Sequence, residues 1–147
     1  MATEVNGYTI GPGADLRSAD LRSADLRSAN LTVADLRSAD LSDAILNGAD
    51  LSGADLTDAD LTDADLSGTI LVGVELLHAD LSGADLGDAN LTNANLTDAI
   101  LTNANLTDVD LTNAYLSNAN LDGADLSNAY LYDADLSDAI LTNADLT

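Results

Sequence analysis

The sequence contains no cysteine, tryptophan or phenylalanine, and it has one proline, one methionine and one histidine among its 147 residues. Without cysteine, the chain can form neither a disulfide framework nor a thiolate metal site. The basic residues are four arginines, set against 26 Asp and Glu residues, and the net charge is −22. A charge of this sign excludes a basic nucleic-acid-binding surface. Because 46% of the residues are hydrophobic, the composition also does not fit an acidic disordered segment.

Long apolar runs are missing as well. The longest apolar stretch, residues 69–77, is interrupted by Gly73 and Glu75, and a spanning helix needs ~20 apolar residues. Residues 1–13 have neither the basic n-region nor the apolar h-region of a signal peptide. We therefore predict a cytoplasmic protein that does not contact a membrane.

What the sequence does contain is a repeat of five residues. Leucine occupies every fifth position from Leu16 to Leu146 without exception, 27 positions in all. The residue two places before each leucine is alanine at 24 of these sites. The residue directly before it is Asp at 15 sites and Asn at 5. The two residues after each leucine have the small polar composition of turns.

A period of five fits neither a helix nor a continuous strand. Five helical residues advance by about 500°, so the leucines would form no stripe. In a strand, an odd spacing would place successive leucines on opposite faces. The chain must therefore change direction once in each unit, with Ala and Leu pointing inward and the residue between them pointing outward. Ordering five residues costs about 7.5 kcal/mol, whereas burying one leucine contributes ~2–3 kcal/mol. No unit is stable alone, and the coils must stack.

The units Ala-Asp-Leu-Ser-Gly at 49–53 and Ala-Asn-Leu-Thr-Asn at 89–93 resemble the pentapeptide repeat family. The resemblance covers residues 14–147 and implies an all-β fold. That fold is a right-handed quadrilateral parallel β-helix, which is a solenoid. Four pentapeptides form each 20-residue coil, so this chain would have nearly seven coils. The family often has Phe at the central position, where this chain always has Leu. Residues 1–13 are interpreted as an N-terminal cap segment, in which Gly11 stands where a leucine belongs.

A 20-residue coil predicts which outward residues stack. One column contains four carboxylates, which would repel by roughly 1 kcal/mol per neighbouring pair at ~4.8 Å. Three interpretations remain open for this column: a solvated surface that keeps the rod soluble, an anionic stripe that a basic protein recognises, or a cation ladder. The four candidate residues are Asp20, Asp40, Asp60 and Asp80.

The arginines all lie in the first 40 residues, and each follows an aspartate by two positions. They are expected to form local ion pairs. The alternative is that the N-terminal end is an interface.

The only histidine, His78, falls in a corner column between Asp58 and Asp98. It is either a surface histidine in a polar column or an interaction residue. No set of residues predicts a catalytic site, a cofactor site or a metal site, so we expect a protein that is not an enzyme.

Apolar residues at outward positions are the other candidates for an interaction surface. Ile70, Val72 and Leu77 are expected to form a small exposed patch. Tyr115, Tyr130 and Tyr132 also point outward, and exposed tyrosine is enriched in interfaces.

Two functions follow as hypotheses. The first is a non-enzymatic scaffold, structural or protein-binding, whose protein partner is unknown. The second is an acidic DNA mimic that acts on DNA gyrase or another DNA-binding protein, as the resemblance to gyrase-binding family members implies. Partly uncovered leucines at the C-terminal end would allow a homodimer through the C-terminal coil.

Overall fold

The computed structural model describes residues 3–147. The chain begins with an antiparallel hairpin of β1 (Thr3–Val5) and β2 (Tyr8–Ile10). Its two-residue loop is Asn6-Gly7, and both residues have positive φ, 51° and 84°. These angles are the ones that a type I′ hairpin turn requires, and Asn-Gly is the preferred pair for it.

From Ala14 onward the chain coils. Single-residue parallel bridges join each residue that precedes a leucine to the residue 20 positions later, from Asp15↔Asp35 to Asp125↔Asp145. Since the unit has five residues, four units complete one coil. Units whose leucines are 20 residues apart therefore stack and form one of four sides. The all-β solenoid is confirmed, and residues 3–147 contain no helix that could span a membrane.

Hydrogen bonds between coils follow one pattern in every stacked unit. The amide of Leu16 donates to the Asp35 carbonyl (2.7 Å), and the amide of Ser18 donates to the Arg37 carbonyl (2.9 Å). In the other direction, the Asp35 amide donates to the Ala14 carbonyl (2.9 Å). Each unit thus needs its neighbours on the next coil to satisfy its backbone.

The corners explain the composition after each leucine. The amide of Ala19 donates to the Leu16 carbonyl (3.0 Å), which closes a four-residue turn. The third residue of this turn, here called the corner residue, has positive φ in all 26 units from Ser18 to Asn143. Left-handed backbone is costly for most side chains but is accepted by Gly, Asn and Asp. These three residue types occupy 20 of the 26 corners.

The interior consists of alanine and leucine, as the period predicted. The leucines at every fifth position from Leu16 to Leu126 are buried, 0–2% exposed. Thr69 is the buried polar residue, and its hydroxyl donates to the Leu66 carbonyl (2.7 Å). Burial decreases in the last coil: Leu131, Leu136 and Leu141 are half-buried, and Leu146 is 56% exposed.

The hairpin covers the N-terminal end of the core. Ile10 is 6% exposed, and Val5 and Tyr8 pack against the same core. The Tyr8 hydroxyl accepts a hydrogen bond from the Asp20 amide (3.2 Å), and the Asn6 side-chain amide donates to the Asp20 carbonyl (3.4 Å). The side chains of the hairpin thus take the place of a preceding coil. Met1 and Ala2, the first residues of the predicted cap segment, lie outside the described residues.

A tight turn links the hairpin to the first unit. The Ala14 amide donates to the Gly11 carbonyl (3.2 Å), so Gly11 takes the place that leucine has in a regular unit. Pro12 follows at the second turn position and Gly13 (φ 66°) at the third. Pro and Gly at these positions are typical of a type II turn.

Candidate interaction surfaces

Many outward Asp and Asn side chains are held in place by a contact within their own unit. The Oδ1 atom of Asp40 accepts hydrogen bonds from the amide of Ser42 (3.1 Å) and from its hydroxyl (2.7 Å). The same arrangement recurs along the chain, for example between Asn90 and Thr92 at 3.0 and 2.6 Å. The sequence analysis missed this contact, although the recurring Asp-Leu-Ser/Thr spacing is the signal of an Asx turn. Much of the polar exterior is therefore fixed by hydrogen bonds between side chains of the same unit.

The predicted carboxylate column is present. Bridges join Asp20 to Asp40, Asp40 to Asp60, and Asp60 to Asp80. Arg22 donates to both carboxylate oxygens of Asp20 (2.8 and 2.6 Å), and its Nε lies 3.7 Å from Asp40. Further along, Asp60 and Asp80 accept from hydroxyl groups instead. An arginine thus neutralises charge at the Asp20 end of the column, whereas hydroxyl groups stabilise the carboxylates at the Asp80 end.

The four arginines all form ion pairs with the aspartate two residues before. Arg17 donates from Nε and Nη2 to the two carboxylate oxygens of Asp15, at 2.7 and 2.6 Å. This hydrogen bond lowers the pKa of Asp15 to about 2, and Arg27 lowers the pKa of Asp25 to about 2 in the same way. Because the pairs are exposed, their contribution to stability is screened by solvent.

His78 lies between two carboxylates of neighbouring coils. Its Nδ1 is 3.4 Å from Asp58 Oδ1, and its Nε2 is 3.6 Å from Asp98 Oδ2. The three residues come together as the column predicts, at an exposed corner where the backbone of His78 has φ 57°. Across the described residues, no three His, Asp or Glu side chains are arranged to hold a metal ion.

The expected apolar patch spans a corner of the coil. Ile70 and Val72 belong to one unit and share a side, with Ile70 44% exposed and Val72 half-buried. Leu77 is half-buried in the following unit, on the next side and beyond Glu75. Only the first two residues therefore face the same direction.

The three outward tyrosines are among the most exposed side chains. Tyr115, Tyr130 and Tyr132 are 56%, 64% and 73% exposed. Tyr130 and Tyr132 lie in one unit. Tyr115 lies on the next side, where it bridges to Asp135. The register also places the Tyr130 unit on the same side as the Ile70 unit, because bridges connect Ile70, Asn90, Asp110 and Tyr130 in order.

The model of the family "Pentapeptide repeats" matches eight copies, over residues 12–37, 34–73, 75–113 and 110–147. The chain belongs to the pentapeptide repeat family. No curated protein matches it in a sequence search.

Solved structures of pentapeptide repeat proteins are similar in fold. HetL, a pentapeptide repeat protein involved in heterocyst differentiation regulation from the cyanobacterium Nostoc sp. strain PCC 7120, is 35% identical. The match covers 90% of this chain and 81% of HetL, with a TM-score of 0.54. A trypsin-treated form of QnrB1, a plasmid-mediated fluoroquinolone resistance protein, is 21% identical over 93% of this chain and 81% of its own, with a TM-score of 0.50. At that identity the likeness to QnrB1 concerns the fold alone.

Proposed function

We propose that this pentapeptide repeat protein is a non-enzymatic scaffold that binds another protein. The observation that carries the proposal is the exposure of Tyr115, Tyr130 and Tyr132 on a backbone in which stacked coils are hydrogen bonded to each other. A rigid tyrosine gives a large contact area and loses little conformational entropy on binding. Aromatic side chains are also enriched in protein interfaces. A cytoplasmic location stays a prediction.

Capture from a lysate of the source cell tests this function. The immobilised protein is compared with the variant Tyr115→Asn, Tyr130→Asn, Tyr132→Thr, whose new residues already occur at equivalent outward positions of other units. We expect a stoichiometric protein partner that the variant loses. Retention of the same proteins by both forms would contradict the proposal.

A second candidate function, DNA mimicry, is favoured by the carboxylate column. Nearly seven coils at ~4.8 Å each give a rod of roughly 32 Å. Duplex DNA carries one charge per ~1.7 Å, so this length of duplex carries about 19 phosphates, and the chain has a comparable net charge of −22. The mimic would bind DNA gyrase or another DNA-binding protein in place of DNA.

A gyrase supercoiling assay at two salt concentrations tests the mimic. We expect inhibition that weakens as salt rises. The matched variant Asp40→Asn, Asp60→Asn, Asp80→Asn keeps the hydrogen-bond acceptor of the column and removes three charges, so it should inhibit less. Absence of inhibition at micromolar protein would rule out action on gyrase.

The third proposal is a homodimer through the C-terminal coil. In this coil Leu131, Leu136 and Leu141 are half-buried and Leu146 is 56% exposed. Stacking of two such coils would bury these leucines in an isologous contact. Sedimentation of the protein as a monomer at micromolar concentration would contradict it.

A further inference from the structure

The four sides of the coil differ in charge. The side that contains Tyr130, here called the Tyr130 side, carries three acidic residues and no arginine. The other three sides carry eight, seven and seven acidic residues, when each corner residue is counted with the unit it ends. The Tyr130 side is made of the units centred on Leu31, Leu51, Leu71, Leu91, Leu111 and Leu131.

The same side carries a large share of the exposed apolar surface. Four of the nine large hydrophobic residues that are exposed lie here: Val33 (66%), Ile70 (44%), Tyr130 (64%) and Tyr132 (73%). Val72 adds a half-buried side chain beside Ile70. The apolar residues form two pairs, Ile70 with Val72 and Tyr130 with Tyr132. Three bridge steps separate the pairs, which is a distance of ~14 Å at ~4.8 Å per step.

The polar residues between the two pairs have local hydrogen-bond partners. Asn90 accepts from the amide and the hydroxyl of Thr92, and Asp110 accepts from the amide of Thr112 (2.9 Å). A partner that covers these two side chains therefore leaves their Oδ1 atoms hydrogen bonded. Asp110 provides one negative charge between the apolar pairs, one bridge step from Tyr130 and two from Ile70.

Acidic residues border the Tyr130 side along both edges. The corner column of the preceding side contains Asp88 and Asp108. On the following side, the column beside the two apolar pairs has a carboxylate at each end, Glu75 and Asp135. The two apolar pairs thus have acidic residues on both flanks, and their electrostatic complement is an apolar stripe flanked by positive charges.

We propose that the Tyr130 side binds a basic amphipathic α-helix of a partner protein, aligned with the long axis of the rod. A helix of about 10 residues spans ~14 Å, so one apolar stripe can contact both pairs. Lys and Arg beside that stripe then face the acidic edges and Asp110. A second copy of this chain fits less well, since it would place acidic edges against acidic edges. The inference rests on the proposed protein-binding function and specifies the side and the chemistry of the partner.

The experiment uses a synthetic peptide as the probe. The peptide has about 18 residues, with leucine at i, i+3, i+4 and i+7 and lysine elsewhere. A second peptide has the same composition in an order that forms no stripe. Fluorescence anisotropy gives the affinity of each peptide for the full chain at low and at physiological salt.

Two triple variants locate the binding site. The first, Ile70→Asn, Tyr130→Asn, Tyr132→Thr, changes the Tyr130 side. The control, Ile45→Asn, Ile100→Asn, Ile140→Asn, changes exposed apolar residues on other sides and keeps the same net charge. All six new residues are types found at the same unit position elsewhere in the chain, so both variants should fold, which their melting temperatures verify.

We expect the striped peptide to bind more tightly than the reordered one. The first variant should weaken that binding by about tenfold or more, and the control by less than about twofold. Equal loss in both variants, equal affinity for both peptides, or no binding at low salt would overturn the proposal. So would self-association that only the first variant abolishes, because the occupant would then be a second copy. If a captured cellular partner binds through another side, this inference fails while the protein-binding function stands.

Discussion

The first coil, residues 14–33, and the last, residues 128–147, share one repeat but differ in what supports them. In the first coil the corner residues are Ser18, Ser23, Ser28 and Val33, which are poor choices for left-handed backbone. Its leucines are nevertheless buried under the hairpin. The last coil has corner residues that suit positive φ, Asn128, Asp133, Asp138 and Asn143, but its leucines are partly exposed.

The difference shows that turn propensity and burial contribute separately to this fold. Leu16 and Leu146 both follow Ala-Asp, yet they are 1% and 56% exposed. Burial therefore depends on the element stacked above the unit and not on the residues within it. Conversely, unfavourable corner residues are tolerated where stacking and the hairpin hold the backbone in place.

The largest effect is expected from removing a leucine side chain in each coil. Leu21 and Leu141 belong to the same side, six coil steps apart. Leu21→Ala should destabilise the protein by about 2–5 kcal/mol, because Leu21 is fully buried and its loss leaves a cavity. Leu141→Ala should cost less than half as much. Chemical denaturation measures both, and equal costs would show that the two coils are equally well packed.

The corner residues provide the next test. Val33 is a β-branched residue at φ 51°, and its side chain is 66% exposed. Val33→Asn should stabilise the protein by about 1 kcal/mol, since Asn accepts this conformation. The reverse change in the same corner column, Asn113→Val, should lower the melting temperature. If neither variant changes it, the corners contribute little to stability.

The hairpin is tested through one hydroxyl group. Tyr8→Phe removes the oxygen that accepts from the Asp20 amide and should cost about 0.5–1 kcal/mol. Hydrogen exchange at Asp20 should become faster. Tyr132→Phe, at a side chain that is 73% exposed, is the control and should leave stability unchanged. An unchanged exchange rate at Asp20 would mean that the hydroxyl does not cap the coil.

The smallest effect concerns the ion pairs of the first coil. The pKa of Asp25 is lowered from 3.8 to about 2 by Arg27. The ionised Asp25 carboxylate therefore stabilises the fold above pH ~3.8, and this stabilisation is lost as the pH falls towards ~2. Arg27→Gln should return this pKa towards 3.8 and reduce the loss of stability in acid. The pKa of Asp135 in the last coil, which is lowered by Ser137, should not change. NMR titration of the carboxyl carbons measures both groups.

Much of the fold was predictable because the five-residue pattern determines the side-chain directions and the turn within each unit. Alternation placed Ala and Leu inward and Asp outward, and the small polar residues predicted the turns. The hairpin was missed, although Asn6-Gly7 between Val5 and Tyr8 is a strong hairpin signal. Its position against the backbone of Asp20 could not be predicted, because packing of Ile10 and Tyr8 onto the core depends on contacts that are distant in the sequence.

The candidate surfaces were predictable in part. The sequence identified Ile70, Val72 and the outward tyrosines as exposed apolar residues. It grouped Leu77 with Ile70 because the two are close in the chain, whereas the coil places them on neighbouring sides. The shared side of Ile70 and Tyr130 follows only from the bridges through Asn90 and Asp110.

The sequence by itself determined which residues point inward, which point outward and where the chain turns, since these properties are decided within five residues. The tertiary structure decided which units share a side and which leucines are shielded from water. The register of 20 residues depends on hydrogen bonds between coils, for example from Leu16 to Asp35, and no single unit can form them. The charge of −22 belongs to the sequence, but its division into three strongly acidic sides and one side with three acidic residues exists only in the coiled chain.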